Sequence, residues 1–313
     1  MKKRVLCAVI GCVLALGMAS VLSGCDNPLN KETYVPESKT ASVSTPTIGV
    51  NGTLRVGVNS TNPPMAGQAS KIVGIDVDIA AAIADEWGLK LEIVDAGSDP
   101  LTSLQNGKID IALGYDTSST NSNLAKTSAY LQKGIALFSL NEKAKTPADG
   151  SVIAAQSSSM SAWAVGSQFE KCKLESSTDL KSAFTALKDG TANYVAADAV
   201  VGTYAAKTAG VDAHIVAMMQ LPTGYCGATL ATNNDLLKKL NTTLTQLDSQ
   251  GIIDLIETKW LGTTVDLKNV TLTAGAKTTT ETTAGTKTTE SEEKATKTAN
   301  TTNTANTTNT ANN

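Results

Sequence analysis

Between Gly74 and Val94 the chain changes period twice within about twenty residues, and few folds can use such a segment. Gly74-Ile75-Asp76-Val77-Asp78-Ile79 alternates apolar and acidic residues at strand period. It runs without a break into the alanine-rich stretch from Ala80 to Trp87, which reads as a helix. Asp76 and Asp78 fall in its first turn, where carboxylates oppose the dipole and can accept orphan N–H groups. Gly88 supplies a left-handed stop, and Lys90-Leu91-Glu92-Ile93-Val94 alternates as a strand. The unit is an α/β crossover, and only a sheet flanked by helices can bury it on both sides.

The same rhythm fills residues 51 to 263. Thr53 to Val58 reads as a strand followed by a loop, Asn59 to Ala66, and Leu101 to Gln105 as a short helix stopped at Gly107. Ile109 to Leu113 follows as a buried strand. A second series starts with the strand Val152 to Ala155, then a helix capped by Ser157-Ser158-Ser159 and running to Phe169. The helix Leu180 to Leu187 closes at Gly190 before the strand Tyr194 to Ala197, and two helices, Asn234 to Leu247 and Gly251 to Trp260, end the body. Strand-helix alternation implies parallel sheets with ligands at the carboxyl ends of strands. Two series in over two hundred residues imply two lobes.

The flanks belong to other classes. Lys2, Lys3 and Arg4 precede an uncharged apolar run from Val5 to Val21, and Leu22-Ser23-Gly24-Cys25 follows where that run ends. This is a secretory leader, 1–25, whose last four residues resemble the bacterial lipoprotein box with Cys25 as the lipidated residue. An ordinary cleaved signal and an uncleaved anchor helix are the alternatives. Two acyl chains, at about 0.8 kcal/mol per buried methylene, suffice for stable anchoring. The expected location is the extracytoplasmic face of the cell membrane. Residues 26–50 read as a flexible spacer rich in Ser, Thr and Pro. Residues 264–313 read as a disordered tail, ending in two copies of Asn-Thr-Thr-Asn-Thr-Ala (300–305 and 306–311).

Charge and cysteines narrow the function. Without the leader's three basic residues the formal net charge moves from −3 to −6, which argues against a nucleic-acid partner. Cys172 and Cys226 are the cysteines left after the leader and Cys25. They could pair across a long loop in an oxidising compartment or sit as two separate buried thiols, and neither has the neighbours of a metal site. No cofactor motif is present.

Taken in order, the fragments Leu54-Arg55-Val56-Gly57, Pro63-Pro64-Met65, Gly74 to Ile79, Leu104-Gln105-Asn106-Gly107-Lys108-Ile109-Asp110, Gly190 to Asp198 and Lys259-Trp260-Leu261-Gly262 resemble the bacterial extracellular solute-binding proteins of the polar amino-acid type (family 3), which serve ABC importers. The resemblance implies a two-lobed type II periplasmic-binding-protein fold of α/β class with two hinge crossings. It puts lobe 1 at 51–137 plus 228–263 and lobe 2 at 138–227, with crossings near Phe138-Ser139-Leu140 and Gly224-Tyr225-Cys226. It also implies an amino-acid-like small-molecule ligand, an ABC permease partner and no catalysis. A sensory or orphan receptor is the alternative. A dehydratase on the same fold would need a placed acid and an electrophilic arginine, which the sequence does not offer.

By that resemblance Asp198, after the strand Val195-Ala196-Ala197, pairs with the ligand ammonium. The plain alternative is a cap for the helix that follows, and the two roles are compatible. Ser158 and Ser159 stand where hydroxyls and a helix N-terminus meet the ligand carboxylate, Thr117 at the lobe 1 hydroxyl position with Tyr115 beside it, and Asn59 and Asn62 in the first ligand loop. The chain departs from the family at the arginine that usually clamps the carboxylate. Ser118 to Ala129 contains none, and Arg55 is the only arginine beyond the leader. Either Lys126 or helix-end amides substitute, or the ligand is not an ordinary α-amino acid; a solvated lysine is the plainer reading of Lys126. Asn62 and Met65 replace an aromatic residue and a phenylalanine. His214, the lone histidine, reads as structural, Trp163 as core, and Trp87 and Trp260 as packing residues.

Overall fold

The computed structural model describes residues 39–276. The leader with Cys25, the spacer up to residue 38 and the tail from 277 lie outside the described residues.

Leu54, Val56 and Val58 are fully buried in the first strand, β1 (Thr53–Val58), because parallel neighbours cover it on both sides. Three short strands, β2 (Thr61–Asn62), β3 (Ala66–Gln68) and β4 (Ile72–Val73), form a small antiparallel sheet over its end. Helix α1 (Ile75–Glu86), strand β5 (Lys90–Asp95), helix α2 (Leu101–Gln105) and strand β6 (Ile111–Asp116) complete the opening series. Strand β7 (Leu124–Lys133) ends it.

The chain then enters a second sheet with β8 (Ile135–Ser139) and β9 (Val152–Gln156), followed by helix α3 (Met160–Gln168). Strand β10 (Lys173–Ser177), helix α4 (Leu180–Lys188), strand β11 (Tyr194–Asp198), helix α5 (Ala199–Ala209) and strand β12 (His214–Met218) complete that lobe. Strand β13 (Thr223–Leu230) returns to the first sheet, and helices α6 (Asn234–Ser249) and α7 (Ile252–Leu261) close it.

The first sheet has the order β5-β1-β6-β13-β7 and the second β10-β9-β11-β8-β12. In each, three strands run parallel, and two added strands are antiparallel to their neighbours. The path between sheets corrects the expected crossings. β7 lies wholly in the first sheet and β8 wholly in the second, so the chain crosses at Gly134 rather than at 138–140. It returns between Met218 and Thr223 rather than at 224–226. The polar Gln132-Lys133-Gly134 separates the mixed pattern of β7 from the continuous apolar run of β8. Gly134, with φ 154°, marks the change of sheet.

The described parts of both flanks, 39–50 and 264–276, are more ordered than their composition implies. In the expected spacer, Val43 and Ile48 are buried, the Ser42 N–H donates to the Trp87 carbonyl at 2.9 Å, and the Gly49 N–H donates to Asp110 at 2.8 Å. In the expected tail, residues 264–276 leave α7, bury Val265, Leu267, Thr273 and Ala276, and pair Leu272 with Met218 at the edge of β12. A few apolar side chains at matched spacing suffice to fix a polar segment against an existing core.

The acidic residues of α1 do not serve its N-terminus, which Gly74 begins without any side-chain cap. The Tyr130 hydroxyl donates to Asp76 at 2.5 Å, and Asp78 accepts from the Trp260 indole and the Lys259 ammonium, each at 2.6 Å. They pin α1 to β7 and α7. Trp87 packs as expected, fully buried, with its indole N–H donating to the Thr243 hydroxyl at 2.8 Å. The apolar residues of α3 to α5 close over the second sheet, where Phe138 and Phe184 meet edge to face at 5.3 Å.

Candidate functional site

β1 and β6 run side by side and end at the same place, where the loops after them and the small sheet leave a cavity of about 720 Å³. Its wall includes Asn59 and Asn62 from the loop after β1, Asp99 from the loop after β5, and Tyr115 and Asp116 from the end of β6. Lys133, next to the Gly134 crossing, and Tyr225 of β13 also line it, and every lining residue belongs to the first lobe. This is the carboxyl-end position expected of an open α/β sheet.

The wall is built from paired polar groups. Asn59 accepts from the Thr61 N–H at 3.2 Å and its hydroxyl at 2.8 Å, which shapes the first loop. Asn62 and Tyr225 share the wall, and the pKa of the Tyr225 phenol is raised by burial and by nearby Asp198. The Tyr115 and Ser119 hydroxyls share a hydrogen bond at 2.5 Å. Lys133 Nζ stands 2.5 Å from Asp116 and 4.7 Å from the centre of the Tyr225 ring. Burial alone would raise the Asp116 carboxyl, but Lys133 and the Ser118 N–H and hydroxyl outweigh it and hold that group below the usual range.

The other expected site residues, Thr117, Ser158, Ser159 and Asp198, are not among those lining this cavity. The Thr117 hydroxyl accepts from the Gly224 N–H at 3.0 Å, and the Thr117 N–H donates to the Gly224 carbonyl at 2.9 Å, so the residue fastens β6 to β13. Asp198 accepts from the Val200 and Val201 N–H groups at 2.9 and 3.1 Å as the cap of α5. Its second oxygen accepts from the Gly134 N–H at 3.2 Å, which puts this carboxylate at the first crossing. Burial raises its pKa, and Lys133 acts in the opposite direction. Ser159 caps α3 by accepting from the Ala162 N–H at 3.1 Å, and Ser158 is exposed with φ 58°.

Two expectations are overturned here, those for Lys126 and Trp163. Lys126 is not a solvated lysine: it donates to the Thr117 and Ser119 carbonyls and holds the loop between β6 and β7. Arg55 is bound to Asp110 at 2.7 Å and to the Gly107 carbonyl. Trp163 is 69% exposed rather than core. Cys172, in the bend before β10, and Cys226, in β13, are both free, and burial pushes the Cys226 thiol up to about 11. Among the described residues, no group of three or more His, Cys, Asp or Glu side chains could hold a metal ion. Sequence reasoning missed Asp99, Asp116, Lys133 and Tyr225. They are scattered over more than a hundred positions, and only the neighbouring Gly134 and Gly224 hinted at a crossing.

Residues 54–263 match the bacterial extracellular solute-binding proteins, family 3. The chain belongs to this family. Solved structures of the same type include an ancestral cationic amino-acid solute-binding protein, AncCDT-1. It is 26% identical, with 67% of this chain and 96% of that one covered and a TM-score of 0.56. The substrate-binding protein of a polar amino-acid ABC uptake transporter from Streptococcus thermophilus is 21% identical over 68% of this chain and 88% of its own, with a TM-score of 0.63. The unliganded, open L-cystine receptor of Neisseria gonorrhoeae is 19% identical over 69% and 95%, with a TM-score of 0.59. No curated protein sequence matches significantly. In this family-3 solute-binding protein the two sheets are the two lobes, and the segment 264–276 lies beyond the matched region.

Proposed function

We propose that this chain is a lipid-anchored, extracytoplasmic substrate-binding protein that delivers an amino acid or a related amine-bearing small solute to an ABC permease, with no chemistry of its own. The observation that carries this reading is the polar cavity at the carboxyl ends of β1 and β6, whose lining includes Lys133 next to the Gly134 crossing. A solute held there lies beside a part that must move when two lobes close, so its binding free energy can favour the closed form. Asp198, at the first crossing, is suited to counter a positive group. The likeness to the ancestral cationic amino-acid binder supports an amine-bearing ligand.

The anchor rests on Leu22-Ser23-Gly24-Cys25 at the end of the apolar run. Cys25→Ser should move the chain from the membrane fraction to the soluble fraction; retention in the membrane would count against lipidation. A thermal-shift screen of amino acids, amines, small peptides and neutral solutes should find one class that raises the unfolding midpoint. Stabilisation grows as RT ln(1 + [L]/Kd), about 2.7 kcal/mol at a hundredfold excess over Kd. A flat response across all classes would sink the binding reading.

A further inference from the structure

We propose that the cleft receives an organic cation without a carboxylate, an alkyl ammonium or guanidinium, and that Lys133 is a tethered cation which this ligand replaces. The proposal rests on the solute-binding reading above and names the class of solute.

An α-amino acid brings a carboxylate, and a carboxylate leaving water needs a free cation or several N–H donors to meet it. Arg55 and Lys126 are not free. The first is bound to Asp110 and the Gly107 carbonyl, and the second to two carbonyls of the loop after β6. Lys133 is the one cation among the residues lining the cavity, and it is already neutralised by Asp116 at 2.5 Å. The same wall carries a second acid, Asp99. Asp198 stands close enough behind it to influence the Tyr225 phenol and to feel Lys133. An entering carboxylate would share one ammonium with Asp116 and face Asp99 as a like charge.

A cation meets the opposite situation. Lys133 Nζ already makes the contacts that a ligand ammonium would make, a carboxylate at 2.5 Å and an aromatic face at 4.7 Å. Its side chain is 22% exposed and sits on a flexible four-carbon stem, so it can turn out towards water and leave Asp116 to the ligand. Asn62 and Tyr115 offer neutral polar groups on the same wall. The empty cleft thus avoids an unpaired carboxylate, and the occupied cleft exchanges one ammonium for another. The rival arrangement is capture of a ligand carboxylate by the N–H groups at the start of α3, next to Ser159.

Matched pairs separate the two. Calorimetry on the full chain compares agmatine with L-arginine and cadaverine with L-lysine, which differ by the carboxylate alone. The amines should bind at least about tenfold tighter than their amino acids, a difference of about 1.4 kcal/mol. Lys133→Met should tighten amine binding several-fold by removing the competitor, and Asp116→Asn should weaken it by about tenfold or more. Tighter binding of the amino acids, or loss of their binding in Lys133→Met, would overturn the proposal, make Lys133 a carboxylate clamp and leave the solute-binding reading standing. If none of the four ligands binds, the proposal is overturned, and the broader solute screen then decides the binding reading by itself. If Lys133→Met fails to fold, the matched pairs and Asp116→Asn still decide.

Discussion

Asp76 holds together the parts of lobe 1 that the cavity depends on. The Tyr130 hydroxyl donates to its carboxylate at 2.5 Å and accepts from the Gly114 N–H at 2.7 Å, so a cavity-lining strand is tied through one phenol to α1. Gly114 is at φ 73°, and a Cβ there would strike the Asp76 carboxylate, so glycine is required on two counts. Burial raises the Asp76 carboxyl from 3.8 to about 7 and that of Glu257, against Val265, from 4.5 to about 7. Both are acids whose folded pKa lies above the unfolded one. The folded chain therefore keeps protons that the unfolded chain releases between about pH 4 and pH 7, and stability falls as pH rises through that window. Every tenfold gain in proton affinity on folding is worth about 1.4 kcal/mol before solvent screening, so the unfolding midpoint should be higher at pH 5 than at pH 8. Asp76→Asn should flatten the slope, since an amide has no proton to lose. A midpoint unchanged between pH 5 and 8, or an undiminished slope in the variant, would contradict this account of the buried carboxyls.

Among the elements, regular ones are legible in the sequence and crossings are not. β1 and the helices from Leu101, Leu180 and Asn234 start where periodicity and caps put them, because each buries a stripe or face that its own sequence displays. The long-range partners of Asp76, Asp78 and Lys133 are hidden, since each depends on a residue brought close only by the sheets. Of the candidate site, Asn59, Asn62 and Tyr115 are readable as loop and strand-end residues that face the cavity. The segment 264–276 reads as tail because its composition is polar, yet it works as a strap across the two lobes. Its Leu267 N–H donates to Gln132 of β7 at 2.9 Å, while Thr271 accepts from the Met218 N–H at 2.9 Å and the Thr273 N–H donates to the Met218 carbonyl at 2.8 Å. The Thr273 hydroxyl adds a 2.6 Å bond to Gln168 of α3. Ending the chain after Gly262 removes the buried Val265 and Leu267 side chains and uncovers the edge of β12. Burial of two such side chains is worth about 3 kcal/mol or more. At about 2–4 °C per kcal/mol for a body of this size, the truncated chain should melt about 6–12 °C lower by calorimetry. An unchanged midpoint would mean that the strap is not held.

For the whole molecule, the question is how two lobes tied in several places can still hinge. The strap is one tie; another runs between helices, where Lys207 of α5 donates to the Lys259 and Trp260 carbonyls at the end of α7 at 2.9 and 3.1 Å. Rotation therefore has to occur at the crossings. Gly134 is the residue between β7 and β8, its N–H is held by Asp198, and a Cβ added to it would lie 2.9 Å from the Met218 methyl, just before the second crossing. The nearest atom is the far end of a flexible, buried side chain, which would have to give way. Gly150 provides the comparison: its φ is 84°, and a Cβ there would meet nothing within 4 Å. Gly150→Ala should cost about 1 kcal/mol of backbone strain and leave the dimensions of the chain unchanged. Gly134→Ala carries that strain together with the clash, so it should cost about 2–3 kcal/mol in all. A shift in the small-angle scattering radius would show that the lobes, rather than the flexible Met218 side chain, move to relieve the contact. Equal midpoints and equal radii in the two variants would show that Gly134 is an ordinary turn glycine and place the hinge elsewhere.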